Sequence, residues 1–291
     1  MIAPTNRFFI VGCQRSGMTL LRLILESHPA IACLDEDRSY AALASGSVEV
    51  PAGKRLIGLK IPRWTETLLD TITWDAMQTE TARNCYQGEP ILFMLRDVRD
   101  TVASMLKLKF GGLVTWLEAC ARPILQQKLG HGQTAWAKQF ARDLQLVRDS
   151  GEPPHLVGAL YWKYKTQTYF RLRDLGLPVC PVRYELLTRH PRQHIARVLD
   201  FLGVGWDNAV LEHAQHPHSE VYANGLVMGD TDPNRPIDSH SIGQYIHFLT
   251  AQQSREVLEL AGTLNRRVRV ECSGGGALER LARRVWVRVA P

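Results

Sequence analysis

The chain has 291 residues, 45% of them hydrophobic and 22% charged. That is enough apolar material for one large α/β domain or two small ones, and it excludes a disordered protein. Lysine plus arginine exceed aspartate plus glutamate by six, 35 against 29; so mild an excess fits an anionic ligand, a nucleic acid or an acidic membrane face, and equally a solvated basic surface.

The N-terminal MIAPTNRFFIVGC carries a short apolar run without a basic leader or a cleavage site, so it reads as a first strand rather than a signal peptide. That strand, Arg7 to Val11, runs into a glycine-bearing turn, GCQRSG, and then into a helical stretch from Met18 to Glu26 stopped by His28-Pro29. Further strands are predicted at Leu56–Ile61, Ile91–Leu95 and Val179–Val182, and a helix at about Asp100–Lys107 with Asp100 as its cap. Between the third and fourth strands, helical periodicity occupies 114–129, 136–148 and 156–175. Helices are also expected at 193–202 and 251–264, with a long functional loop over 215–245 that is rich in His, Pro, Asp, Asn and Gly. Glycines 274–276 read as a joint before a last short basic helix, so the expected organisation is one domain over 1–272 and a basic tail over 273–291. No apolar stretch approaches the roughly 20 residues needed to span a bilayer.

Six cysteines, Cys13, Cys33, Cys85, Cys120, Cys180 and Cys272, form no C-x-x-C pair and no metal-like spacing with histidine. Reduced thiols, no metal and a cytoplasmic location are the expectation. Short buried strands alternating with helices imply an α/β, P-loop-like three-layer fold with a mainly parallel central sheet. Ligands of such sheets sit beyond the carboxyl ends of the strands, so the loops after Val11, Ile61, Leu95 and Val182 are expected to line one crevice.

The first of those loops, Gly12 to Thr19, reads GCQRSGMT. It has both glycines and the Thr of the phosphate-binding pattern G-x-x-x-x-G-K-[ST], but Met18 stands where the lysine belongs. Backbone N–H groups at a helix N-terminus still suit an anion. Positive charge comes instead from Arg15 and Arg22, and a guanidinium can hold a phosphate or sulfate through two parallel hydrogen bonds. The reading is a pocket for a 5′-phosphosulfate-like anion, without a γ-phosphate or a required magnesium.

FIVGCQRSGMTLLRLILESHP resembles the 5′-phosphosulfate loop of the sulfotransferases that use 3′-phosphoadenosine 5′-phosphosulfate (PAPS), with the nearest likeness to the bacterial and tyrosylprotein-sulfotransferase-like branch. Arg15, Ser16, Gly17, Thr19 and Arg22 match; Met18 departs from the usual threonine and keeps only its backbone N–H for the donor. LRDVRDTVASMLKL resembles the family's 3′-phosphate segment, which implies that Arg96 and Ser104 hold the other end of PAPS. HPAIACLDEDR resembles the stretch bearing the tyrosylprotein branch's catalytic glutamate, here Glu36, with Arg38 as a nearby arginine. An acceptor hydroxyl is a weak nucleophile until a base takes its proton, and flanking Asp35 and Asp37 are expected to raise that base's pKa.

The resemblance also implies that Lys60, in GLKIP, polarises the transferred group. Tyr184, in VRYELLTRHP, would lie near the 3′-phosphate. Arg235 and either Ser239 or Ser241, in TDPNRPIDSHSIGQY, would belong to a loop over the nucleotide, where Gln244 replaces a usual basic residue. The function implied is sulfuryl transfer from PAPS to an acceptor hydroxyl, small-molecule or peptidyl, leaving PAP as product. Two alternatives are a P-loop kinase or NTPase and a catalytically degenerate nucleotide-binding protein. No nucleic-acid partner is expected. The tail ALERLARRVWVRV is basic and amphipathic and suits either peripheral membrane contact or docking on its own domain. The region of about 110–178 is where acceptor specificity is expected.

Overall fold

The computed structural model describes residues 6–46, 48–64, 88–110, 112–130, 135–218 and 232–273. The expected glycine joint and last helix, Cys85 and the middle of the 215–245 loop lie outside these residues. Five parallel strands form the main sheet, in the order β2 (Ile31–Leu34), β3 (Leu56–Lys60), β1 (Arg7–Gly12), β4 (Ile91–Leu95) and β7 (Val179–Arg183). A small antiparallel hairpin pairs β5 (Lys109–Phe110) with β6 (Val114–Thr115).

Side chains alternate across a strand, and each face of this sheet has its own core. Phe9 and Val11 of β1, with Ile91, Phe93 and Leu95 of β4, face a cluster that includes Val98 and Val102 of α3 (Val98–Lys107), Leu160 and Tyr164 of α7 (Pro154–Asp174) and Val257 and Leu264 of α10 (Ala251–Ser273). Phe8, Ile10, Leu92 and Met94 face the other way, onto Leu21, Ile24 and Leu25 of α1 (Met18–Glu26) and Ile195, Val198 and Leu199 of α9 (Pro191–Phe201). Two covered faces explain why these strands read as unbroken apolar runs. The expected three-layer α/β fold is the fold observed.

Several boundaries differ from expectation. Strand β2, IACL, is an addition: four residues after a helix stop carry too little pattern to be distinguished from loop. It leads into α2 (Glu36–Ser45), whose cap is Asp35, with its side chain accepting the Arg38 N–H. Helix α3 is capped by Asp97, which accepts from Arg99 N–H, and not by Asp100. Asp100 instead accepts the N–H groups of Gly243 and Tyr245 and so ties the 232–248 loop to α3. Helix α10 continues to Ser273, nine residues past the expected end at Leu264.

Under α1, His213 is fully buried, and neither ring nitrogen has a hydrogen-bond partner among the described residues. Burial, with His218 and His216 nearby, lowers its pKa from 6.5 to about 4. The unfolded chain therefore takes up the proton first, and the stability this neutral ring supplies above pH 6.5 is lost as pH falls toward 4. Denaturant unfolding at pH 7.5 and 5 is expected to show a larger loss on acidification for the native chain than for His213→Leu; equal losses would exclude this contribution.

Candidate active site

Because the sheet is parallel, its strands deliver their following residues to one rim. Register places Lys60, the last residue of β3, beside Ile10 of β1, two residues before the Gly12 turn. Leu95 lies beside Arg183, so Arg96 and Tyr184 leave their strands together. Chain order reverses direction across β1, with β3 on one side and β4 on the other; a crevice opens at such a switch point. It has a volume of about 570 Å³, and its wall includes residues at or just beyond the end of each of the five strands: Arg15, Glu36, Lys60, Arg96 and Tyr184.

The loop after β1 is shaped by close contact. Gly12 has φ +144°, and a Cβ there would lie 2.6 Å from the Met94 carbonyl oxygen. Gly17 has φ +103°, and a Cβ would lie 2.5 Å from the Tyr184 ring, so both positions demand glycine. Arg15 between them adopts a left-handed backbone, φ 71°, a conformation that costs a non-glycine residue on the order of 1–3 kcal/mol and clusters at functional sites. Ser16 is spent on the turn itself: its hydroxyl and its N–H both reach the Cys13 carbonyl, at 2.5 and 3.1 Å. Met18, Thr19 and Leu20, the first turn of α1, line the crevice, and their N–H groups precede the first intrahelical bond, Leu21 to Gly17.

Arg15 and Ser104 meet: Arg15 Nε donates to Ser104 Oγ at 3.1 Å. Arg96 spans two loops, with Nη1 donating to the Arg15 carbonyl at 3.0 Å and Nη2 to the Ser241 carbonyl at 2.5 Å. Its guanidinium stacks 4.4 Å from the centre of the Tyr184 ring, and its buried Nε has no hydrogen-bond partner among the described residues. Asp97, next to Arg96 in the chain, is committed elsewhere, to Arg99, Asn265 and Arg269.

The ammonium missing from position 18 arrives from the neighbouring strand. Lys60 is almost wholly buried, and its Nζ donates to Thr19 Oγ1 at 3.1 Å. Glu36 opens α2 on the same wall. Burial raises its pKa above the usual carboxylate value, while Lys60 and Arg63 hold it down and Asp37 pushes it further up. Burial, not the crowding expected from Asp35 and Asp37, is thus the main cause.

Sequence reasoning missed Arg63. Its Nε lies 2.9 Å from Glu36 Oε1, and its guanidinium stacks 4.1 Å from the centre of the Tyr40 ring. The Tyr40 hydroxyl accepts the Arg63 N–H at 2.8 Å, and buried Lys165 of α7 donates to the Pro62 carbonyl at 3.1 Å. Arg38, expected near Glu36, instead pairs with Asp35 at 2.7 Å.

Two other expected donors are not brought to the crevice. Arg22 is wholly buried and paired with Glu26 one turn on, at 2.8 Å; a helical side chain follows its own face, and this one faces the β2 side near Cys33. Ser239 lies off the wall, while His240 and Ser241 are on it. Arg235 lines the crevice but is paired with Asp238, and Gln244 donates to the His240 carbonyl of its own loop.

The crevice thus brings together Arg15, Arg96, Lys60, the hydroxyls of Thr19 and Ser104 and a helix N-terminus, an arrangement suited to a doubly anionic ligand. The orphaned Nε of Arg96 and the glycine-shaped loop fit a nucleotide carrying acidic groups at both ends. No metal-like cluster of His, Cys, Asp or Glu occurs among the described residues, and none of their helices is long and apolar enough to cross a membrane.

The model of the sulfotransferase family matches residues 7–88. The chain is 23% identical over 270 residues to protein-tyrosine sulfotransferase 2 of Gallus gallus, covering 89% of this chain and 68% of that protein. It is likewise 23% identical over 295 residues to the protein-tyrosine sulfotransferase of Drosophila melanogaster, covering 88% of this chain and 50% of that one. Its fold matches the sulfotransferase domain from the curacin biosynthetic pathway with a TM-score of 0.55, at 16% identity and covering 88% of this chain and 96% of that one. A mouse sulfotransferase complexed with PAP matches with a TM-score of 0.51, at 15% identity and covering 90% of this chain and 88% of that one. The loop and first strands that the family model spans, the relatives that extend the likeness along the chain and the shared α/β fold all point the same way: this chain is similar to the sulfotransferases in sequence and has their fold.

Proposed function

We propose that the crevice binds PAPS by both of its acidic ends and passes the sulfuryl group to an acceptor hydroxyl, with Glu36 as general base and Lys60 as the cation that meets the leaving oxygen. The observation that carries this reading is the 3.1 Å contact between Arg15 and Ser104: the loop suited to the 5′-phosphosulfate and the helix suited to the 3′-phosphate share one cavity.

Arg15, Thr19 and the N–H groups at the start of α1 would hold the 5′ end, and Arg96 and Ser104 the 3′-phosphate. Tyr184 keeps Arg96 in place by stacking. Glu36 takes the acceptor proton as the acceptor oxygen forms its bond to sulfur. The bond from sulfur to the 5′-phosphate oxygen breaks, and that oxygen keeps the electron pair, so PAP leaves with the added negative charge. Lys60 supplies a fixed positive charge where that charge grows, and a preorganised cation in a dry site stabilises the transition state far more than one in water. Phosphoryl transfer works by the same division between positioning and electrostatics.

The NTPase alternative departs from its own pattern at Met18, and the ammonium at this helix N-terminus comes from β3 instead. Arg15→Ala and Arg96→Ala are each expected to abolish retention on PAP-agarose, with unchanged far-UV circular dichroism. Retention by both variants would overturn the donor-site assignment. An acceptor hydroxyl on a peptidyl tyrosine is what the names of the chicken and fly relatives suggest, but the wall beside Glu36 favours something else.

A further inference from the structure

That wall begins at the hairpin and is built with care. Thr115 and Glu118 form a reciprocal cap: the Thr115 hydroxyl donates to Glu118 Oε2 at 2.7 Å, and the Glu118 N–H donates to Thr115 Oγ1 at 3.2 Å. The chain then makes a wide, π-type turn over Leu117–Ala121 before α4 (Arg122–Leu129). In a regular α-helix, residues at four-residue steps drift round the axis; one wide turn offsets that drift. Trp116, Cys120 and Ile124 all line the crevice as a result. Leu117 tucks back under them against Gly158 of α7, where a Cβ would lie 2.9 Å from its methyl group.

This apolar stripe stands beside the proposed base. Glu36 and Arg63 are close enough to perturb the Cys120 thiol, which burial and the carboxylate push up. Phe110 and Phe248 also line the crevice and are each 39% exposed, and Leu113, Val114 and Ile246 extend exposed apolar surface from the hairpin and the facing loop. A cluster of large exposed apolar groups around a pocket marks a binding site. The arginines beside Glu36 do not favour an acidic acceptor: Arg63 is engaged with Glu36 and Asp37, Arg38 with Asp35, and Asp37 itself lines the crevice.

We propose that the acceptor hydroxyl is carried on an uncharged apolar body, aryl or alkyl, seated against Trp116, Cys120 and Ile124 with Phe110 and Phe248 at the mouth. The inference rests on the donor and base assignment above, and it separates this chain from relatives named for protein tyrosine.

The test begins with PAP. Calorimetry of the purified protein with PAP checks the donor site by itself; if PAP does not bind, the donor assignment fails and this inference falls with it. The PAP-loaded protein is then titrated with 2-naphthol and, separately, with a tyrosine peptide flanked by glutamates. Micromolar to low-millimolar binding of 2-naphthol, with the peptide at least tenfold weaker, is expected. Ile124→Asp and the rim variant Phe248→Ser are each expected to weaken 2-naphthol at least fivefold and leave the PAP affinity unchanged. Tighter binding of the peptide, no binding of 2-naphthol despite bound PAP, or 2-naphthol affinity unmoved in both variants would each overturn the proposal.

Discussion

Glu36→Gln is expected to lower turnover by about 10²–10⁴-fold while retention on PAP-agarose stays unchanged. Glutamine keeps the size of the side chain and its place at the start of α2, so a loss confined to turnover isolates proton transfer from donor binding. The native enzyme should also carry an acid limb in its pH–rate profile. A base works only when ionised, and burial holds Glu36 protonated to a higher pH than an ordinary carboxylate; turnover therefore rises as pH climbs through that elevated pKa. Arg63 favours the ionised form from 2.9 Å away, so Arg63→Gln is expected to move the limb to still higher pH, and Arg63→Lys to return it part of the way. If Glu36→Gln retains full activity, the base is another group. Asp37 is the carboxylate beside it on the wall, whereas Asp35 is held by capping and by Arg38.

The strand, loop and helix over residues 7–26 were legible because local signals agree: an apolar run, two obligatory glycines and an amphipathic helix stopped by His28-Pro29. That the ends of the four expected strands would meet at one crevice followed from parallel topology rather than from any one residue, and β2 adds a fifth. What escaped depends on side-chain direction and on long-range pairing. Arg22 sits in a loop-matching string, yet its helix turns it inward to Glu26, an i,i+4 pairing visible in the sequence once the face is considered. Arg63 follows a strand-ending proline and has no local signature; its role arises only because β2 and β3 are neighbours and bring α2 against the end of β3. Between Ser239 and Ser241, the choice turned on how the far loop lies over α3, which the two bonds from Asp100 decide. The π-type turn at Leu117–Ala121 lies inside a stretch whose apolar spacing an ordinary helix would also give, so no local signal sets it apart.

Lys60→Met is expected to reduce kcat by about 10²–10³-fold, the usual cost of removing one preorganised group that stabilises transition-state charge, with PAP affinity changing by less than tenfold. The variant perturbs two things at once, and pH separates them. Lys60 lowers the pKa of Glu36, so its loss leaves more of the base protonated near neutrality. If that indirect effect were the whole of it, turnover would return to the native value once the pH was raised well above the acid limb. If Lys60 meets charge growing on the oxygen that leaves sulfur, the deficit persists on the alkaline plateau, where Glu36 is fully ionised in both proteins. The second outcome is expected, because the contact between Lys60 Nζ and Thr19 Oγ1 sets the ammonium at the N-terminus of α1 as well as near Glu36. Acceptors with better activated hydroxyls should not narrow the gap, since the missing charge acts on the bond that breaks and not on the one that forms. Full recovery at high pH would assign Lys60 to the tuning of Glu36 alone.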